Sequence, residues 1–460
     1  MSSFFQGVDP IDEVGSRTVR KVSRRLIPFI AVLFFINYID RTNIGFAKLE
    51  MNAEIGLTET AYGLASALFF LGYFFFEIPS NLILHKVGAR RWIARIMVTW
   101  GLVAAATGFV TNEITLHVLR TLLGIAEAGF YPGVILYLTY WFPKSVRAKA
   151  IALFAVAVPV SVVIGGPIST ALMQFGDGFL GLSGWRFMFI IEGLPAVVLG
   201  IVCWFYLTDR PSEARWLAPD EREWLSRTLE AEVEASERRA HWPLRRALTD
   251  PKIFALSFVE FGVGYGIYAL SFFLPTIVAG FKTMFGTELS LVETGLITAI
   301  PFAFASVAMV LWGRHSDRTG ERVWHVAAPT LLAAVTVPIA LYLNSPFAVM
   351  VAITLTAIGV FSAYPIFWSI PGQFLTGVGA AGGIALINSL ANLSGFGAPF
   401  VTGALADLTG SNRAGLWVAG VILLLAAITM VALRGLVGPS SARVVSEPRT
   451  GEARPSPSEA

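Results

Sequence analysis

The sequence predicts an all-α polytopic membrane protein of twelve transmembrane helices in two pseudo-symmetric six-helix halves. Hydrophobic residues make up 55% of the 460-residue chain and charged residues only 14%, against about 25% charged in soluble domains. Apolar runs of about 20 residues, the length that crosses about 30 Å of hydrocarbon at 1.5 Å per residue, recur about twelve times. A single long polar segment separates the sixth run from the seventh.

In chain order, residues 1–25 are expected to be a cytoplasmic segment. MSSFFQGVDPIDEVGSR has no apolar stretch behind a basic start, so no cleavable signal is expected and the first apolar run is retained. The expected spans are 26–46, 60–82, 91–110, 114–137, 148–172 and 187–207 in an N-terminal bundle (26–207), then 252–275, 290–313, 325–343, 347–371, 381–403 and 414–436 in a C-terminal bundle (252–436). Between them, 208–251 is a cytoplasmic loop in which the Leu/Trp spacing of Pro219 to Leu229 suits a short amphipathic helix on the membrane surface. The Ser-, Pro- and Glu-rich tail, 437–460, is expected to be disordered.

Lys and Arg set the orientation. With the N-terminus cytoplasmic, about 28 of the 34 basic residues fall inside, and Lys48, Arg186, Lys282 and Arg413 fall outside. Both termini are then cytoplasmic, as in a multi-pass protein of a bacterial-type inner (plasma) membrane. The net charge of +3 is spread over short loops rather than gathered on one element, which reads as topology and not as nucleic-acid binding. Lone Cys203 supports neither an intramolecular disulfide nor a Cys-based metal cage. No His/Cys/Asp cluster has metal-ligand spacing, and no nucleophile–base pair or appended soluble domain suggests an enzyme. No catalytic residue, metal or cofactor is expected; the lipid bilayer and a small molecule are the expected partners, and the chain is expected to be a monomer.

A weak internal repeat links the halves. NLILHKVGARR (81–91) follows the second span and GRHSDRTGER (313–322) follows the eighth, aligning Gly88 with Gly320 and Arg90 with Arg322. Repeated six-helix halves are the construction of alternating-access transporters.

Gly313, Asp317, Arg318, Gly320 and Arg322 resemble the G-x-x-x-D-R-x-G-R loop signature of the major facilitator superfamily. NYIDRTNIGFA, FEIPSNLIL…VGARRW, LRTLLGIAEAGFYPG, YLTYWFP…RAKAIALF and GWRFMFIIEGLPA are similar to its anion:cation symporter branch, over roughly residues 20–436. The resemblance implies the major facilitator fold and proton-coupled import of tartrate, sugar acids, phthalate or 4-hydroxyphenylacetate-type anions, with protons as the coupling ion. The alternative is an antiporter or exporter of organic anions or drugs. In the first-half loop Asn81 and His85 stand where the pattern prefers Gly and Asp, so that gate is latched differently. Glu77, Arg90, Gly313, Asp317, Arg318 and Arg322 are the expected gating residues.

Ionisable residues inside the membrane cost at least about 2.5 kcal/mol each and point to function. At 1.5 Å per residue Asp40 and Arg120 both lie about 21 Å from the inner end and can pair, while Glu127, seven residues after Arg120, shares its helix face about 10.5 Å further inward with no obvious partner one turn away. A carboxylate that gains and loses an arginine partner can release and hold a proton. With the roles the resemblance implies, Asp40 and Glu127 carry protons, Arg120 is the switchable partner of Asp40, and Arg41 takes the substrate carboxylate. The competing reading is a static ion pair locking the first and fourth helices.

Tyr73, Tyr265, Tyr268, Trp368, Asn388 and Asn392 complete the expected substrate site, the two asparagines sharing one face at a spacing of four. Packing of the aromatics and interhelical bonding of the asparagines are the alternatives. Glu192 is expected in a gate or cap, Glu260 near water or Lys252 and Arg245, and His117 and His325 as interface histidines. The 164–169 IGGPIS run and Gly124, Gly129 and 379–383 permit close approach or bending. An anion entering against the membrane potential meets about 2.3 kcal/mol per charge per 100 mV, which accompanying protons offset.

Overall fold

The computed structural model describes residues 13–155, 157–237, 249–371, 377–411 and 413–437. The expected disordered tail from 438 onward, residues 1–12, residues 238–248 of the central loop, and Arg245 with them, lie outside the described residues. The helices are α1 (Glu13–Ile55), α2 (Glu59–Val87), α3 (Ala89–Thr107), α4 (Glu113–Glu127), α5 (Phe130–Thr139), α6 (Lys144–Ala155), α7 (Ala157–Gly176) and α8 (Gly184–Tyr206). After the loop helix α9 (Pro219–Glu237) come α10 (Pro251–Ala279), α11 (Leu291–Thr319), α12 (Val323–Ile339), α13 (Pro346–Phe367), α14 (Gly377–Thr409) and α15 (Arg413–Ala432).

Local chemistry explains the boundaries. Thr58, Asn112, Asp250, Ser290 and Ser345 each accept an amide hydrogen at a helix start, and Ser290 with Glu293 forms a reciprocal capping box. Among the described residues, ten helical stretches are long and apolar enough to span by themselves. The third span falls short because Arg90, Arg91 and Arg95 sit in its first turns. The fourth span, expected to be continuous, is broken. Ala128 leaves the helix at φ −53°, ψ 129°, and Gly129 follows at φ +86°, a left-handed geometry that favours glycine.

Among the described residues three hydrophobic clusters form, a first among the helices before residue 230, a second among those after 250, and a smaller third also after 250. Phe272 and Phe273 of α10 reach into the first, and Val162 of α7 into the second. The halves meet where α2 packs along α14, α7 along α11 and α1 against α10. Gly63 and Gly403 let α2 and α14 touch backbone to backbone, since a side chain on either would run into the Pro399 or the Glu59 carbonyl.

One end of this seam is latched. Asp407, at the end of α14, accepts from the amides of Glu59 (3.1 Å) and Thr60 (2.7 Å), unsatisfied donors in the first turn of α2. Beside it, Gln174 at the end of α7 accepts from the Val292 amide at 3.1 Å. Among the described residues, the hydrogen bond between the halves farthest from this end joins Asn388 to Glu77, 18 residues or about 27 Å along α2 from Glu59.

Helix α9 differs from the membrane-surface helix expected. Its apolar side, with Leu225 fully buried, packs into the first core. Asp220 pairs with Arg17, Glu221 with Arg17 (3.1 Å) and Lys21 (2.9 Å), and Glu232 with Arg147 (3.2 Å). The acidic first turn matches the basic face of α1, which begins well before residue 26, and this charge match draws the helix onto protein instead of lipid. Burial pushes the Glu221 carboxyl up, but hydrogen bonds from Lys21, the Ala218 amide and Arg17 outweigh it and hold it below the usual carboxylate range.

Replacing Asp407 with Ala should weaken the latch by about 1 kcal/mol after allowance for exposure, shifting the population towards a state open at this end about fivefold. Spin-label distance distributions between Phe175 and Leu408 positions, exposed on opposite halves at this end, should gain a longer component.

Candidate functional site

The break in the fourth span sets the site. It makes Glu127 the last residue of α4, so its carboxylate sits fully buried at a helix C-terminus, where the helix dipole disfavours negative charge. Arg41 of α1 supplies the compensating charge. Its Nε donates to Glu127 Oε1 at 2.5 Å and its Nη2 pairs with the same oxygen, while Oε2 has no partner among the described residues. The guanidinium lies over the rings of Phe69 (5.5 Å) and Tyr73 (5.1 Å) of α2, with Tyr268 of α10 beside it from the other half.

Asp40 and Arg120 do not form the pair their equal depth suggested. Asp40 accepts from the Trp100 indole of α3 at 2.6 Å and from Asn43 at 3.5 Å. Asn43 also donates to Glu192 of α8 at 2.9 Å, and Ser169 of α7 donates to Glu192 at 2.7 Å. Two buried carboxyls thus share one amide, with no cation among their hydrogen-bond partners. Arg120, 1% exposed, stacks over Phe69 at 5.3 Å, and none of its nitrogens has a hydrogen bond among the described residues. The reason is azimuth. Asp40 and Arg41 point about 100° apart, so Asp40 faces α3 and α8 while Arg41 faces the break after Glu127, and α4 packs along α2, which turns Arg120 onto Phe69.

The same geometry bears on three other residues. Glu127 has no partner on its own helix and takes one from α1. Arg41 is engaged, so another anion reaches it only in exchange for Glu127. Glu192 joins the Asp40 network through Asn43. Sequence reasoning also passed over Trp100 and Asn43, although an amide three residues after a buried acid is a readable sign.

Other expected residues divide. Tyr38, Tyr131, Tyr268, Tyr364 and Glu260 come within electrostatic reach of one another from four helices. Tyr364 is 37% exposed in spite of these neighbours, so it borders open space between the halves. Glu260 is buried and bonds to Trp368, away from Lys252. Asn388 donates to Glu77 across the halves at 3.1 Å. Asn392, one turn on, is half-buried. Tyr265 is not brought to this group: its ring packs with Ala398, Leu416 and Ala419 inside the C-terminal half, because positions three apart diverge by about 60° around a helix.

At the opposite end, Gly88 (φ +98°) and Gly320 (φ +68°) turn the two repeated loops. Arg322 pairs with Asp317 at 2.8 Å inside its own loop. Arg90, whose loop has His85 in place of that acid, bonds instead through its amide to Asp209 beyond α8 at 2.8 Å, and His85 meets the Tyr140 hydroxyl at 3.1 Å. Arg318 and Gly313 lie at the end of α11. His117 meets the Ala61 carbonyl at 3.0 Å, and His325 lies between Glu321 (2.8 Å) and His315 (2.7 Å), both as interface histidines.

Comparison with known proteins agrees with this architecture. The chain matches the Major Facilitator Superfamily over residues 30–385 and 283–458. It is 49% identical to a putative tartrate transporter of Agrobacterium vitis, over 92% of this chain and 96% of that protein. A quinolone resistance transporter of Acinetobacter baumannii is 39% identical over 88% of this chain and 92% of its own length. Among solved structures, a bacterial homologue of the human lysosomal transporter Spinster, inward-facing and unoccupied, superposes with a TM-score of 0.73 at 17% identity, covering 90% of this chain and 98% of that one.

A double-mutant cycle separates the observed pairing from the one expected. Arg41→Leu should lower the thermal stability of the detergent-solubilised protein by about 3 kcal/mol, because it strands Glu127, and Glu127→Leu in addition should recover most of that loss. The Asp40→Leu and Arg120→Leu effects should instead add.

Proposed function

The chain belongs to the major facilitator superfamily and is a multi-pass membrane transporter of small molecules, and from that premise we propose that it imports an organic anion together with protons by alternating access. The observation that carries the reading is the single buried oxygen of Glu127 holding two donors of Arg41. A substrate carboxylate would compete for those same donors. Once it takes them, Glu127 stays in the interior without a cation, a stranded charge costing several kcal/mol, and the low-energy outcome is uptake of a proton. Anion and proton therefore enter the site together. Asp40 and Glu192, bridged by Asn43, offer a second proton site, and each added proton offsets one charge against the membrane potential.

With the N-terminus cytoplasmic, the Asp407 latch closes the outer side and the chain faces inward, in the plasma membrane. The C-terminal half would read the rest of the substrate. Glu260 can accept from a hydroxyl, Asn388 can donate to a carboxylate, and Tyr268 and Trp368 offer rings. A hydroxy-dicarboxylate such as tartrate comes first, on the name of the 49% identical relative, with sugar acids and aromatic carboxylates next. Export is the second reading, favoured by the name of the 39% identical relative. The test is labelled tartrate in proteoliposomes under an inward proton gradient. Accumulation above equilibrium supports import, whereas extrusion driven by proton entry supports the exporter.

Glu127→Gln should abolish uptake driven by a pH gradient while counterflow exchange at least partly survives, since the amide still packs beside Arg41 but carries no exchangeable proton. Equal loss of both activities in a folded variant would count against the proton role.

A further inference from the structure

Outside the transport site, the strongest unassigned feature is a groove of about 610 Å³ on the cytoplasmic side, lined by Arg17, Arg20, Lys21, Arg24, Arg25, Tyr206 and Trp216. We propose that it binds the phosphate of an anionic phospholipid from the adjacent leaflet. The proposal depends on the membrane-spanning fold and not on what is transported.

The charge balance leaves the groove in need of an anion. Helical spacing places the five basic residues along the exposed start of α1. Arg17 and Lys21 are matched by Asp220 and Glu221. Arg20 and Arg24 have no ion-pair partner among the described residues, and Arg25 Nε is buried without a hydrogen bond. Among the described residues, three guanidinium groups therefore face a pocket whose lining holds no carboxylate, and guanidinium matches phosphate through paired N–H donors.

The walls are preformed. The Arg25 guanidinium lies over the rings of Tyr206 (4.5 Å) and Trp216 (4.9 Å). Tyr206 donates to the Arg25 carbonyl at 3.0 Å, and Trp216 stacks on Trp141 at 5.4 Å. A ligand arriving here finds the Arg25 donors already held between rings, so less ordering entropy opposes binding there.

Depth selects a lipid over a soluble phosphate. On α1 the buried apolar face begins at once after the groove, with Leu26, Ile27 and Ile30. Tyr206 is the last residue of α8, and just before it Trp204 and Phe205 are 45% and 80% exposed. The groove thus opens at headgroup level beside an aromatic face that suits acyl chains, the usual setting of interfacial Trp and Tyr. Basic pockets on the cytoplasmic side of helix pairs are suited to anionic headgroups.

The experiment uses the full chain in neutral detergent, with thermal unfolding followed as a short-chain phosphatidylglycerol, the phosphatidylcholine of the same chains, or glycerol phosphate is added. Phosphatidylglycerol should raise the melting temperature, less so at high salt, and the other two should not. Arg20→Gln/Arg24→Gln/Arg25→Gln should weaken the apparent affinity on the order of 100-fold, at roughly fivefold per basic side chain. Where the triple variant does not fold, Arg20→Gln alone should lose about fivefold. Equal stabilisation by phosphatidylcholine, or unchanged affinity in the variants, would overturn the site. Equal stabilisation by glycerol phosphate would overturn the lipid in favour of a soluble anion.

Discussion

A charge buried among apolar helices must have a partner, and here that constraint falls on Arg41. Glu127 ends a helix in the protein interior, where the dipole and the low dielectric both oppose a carboxylate, and Arg41 is the cation that pairs with it. The break at Ala128–Gly129 puts the acid there, helix α1 puts the base within reach, and the rings of Phe69 and Tyr73 hold the guanidinium in place. Under the proposed function, one cation for two anions is a competition, and competition between a fixed carboxylate and a mobile one is a means of coupling.

The rest of the molecule sets what surrounds Arg41. Close contact of α2 with α14 and the cap that Asp407 places on α2 close one end. With that end closed, Tyr268 of the C-terminal half stands beside Arg41 and Asn388 reaches Glu77. The closed seam and the two-sided surroundings of Arg41 occur together in this structure. The loop helix α9, salt-bridged to α1 and α6, ties the opposite end of the N-terminal half together.

The twelve spans were legible because each rests on local composition, and the two loop glycines were legible because a repeat exposed them. Pairing was not. Depth along a helix follows from residue counts, so Asp40 and Arg120 were rightly placed at one level, but direction around the axis depends on which neighbour a helix packs against. That information was missing for Arg120, turned onto Phe69, for Tyr265, turned into its own half, and for Glu192, joined to Asp40 through Asn43. The kink after Glu127 was written in a single glycine whose left-handed geometry only the fold reveals. Helix α9 was recognised by its apolar spacing, yet its acidic first turn, which chooses protein over lipid, needed the basic extension of α1 to be seen as helix.

If substrate and Glu127 share Arg41, the proton balance of binding reports it directly. Calorimetric titration of the detergent-solubilised protein with tartrate, in buffers of equal pH and different ionisation enthalpy, reports protons taken up per ligand bound. The account predicts uptake of about one proton in the wild-type protein and none in Glu127→Gln. Ligand binding with no proton uptake in the wild-type protein would contradict it.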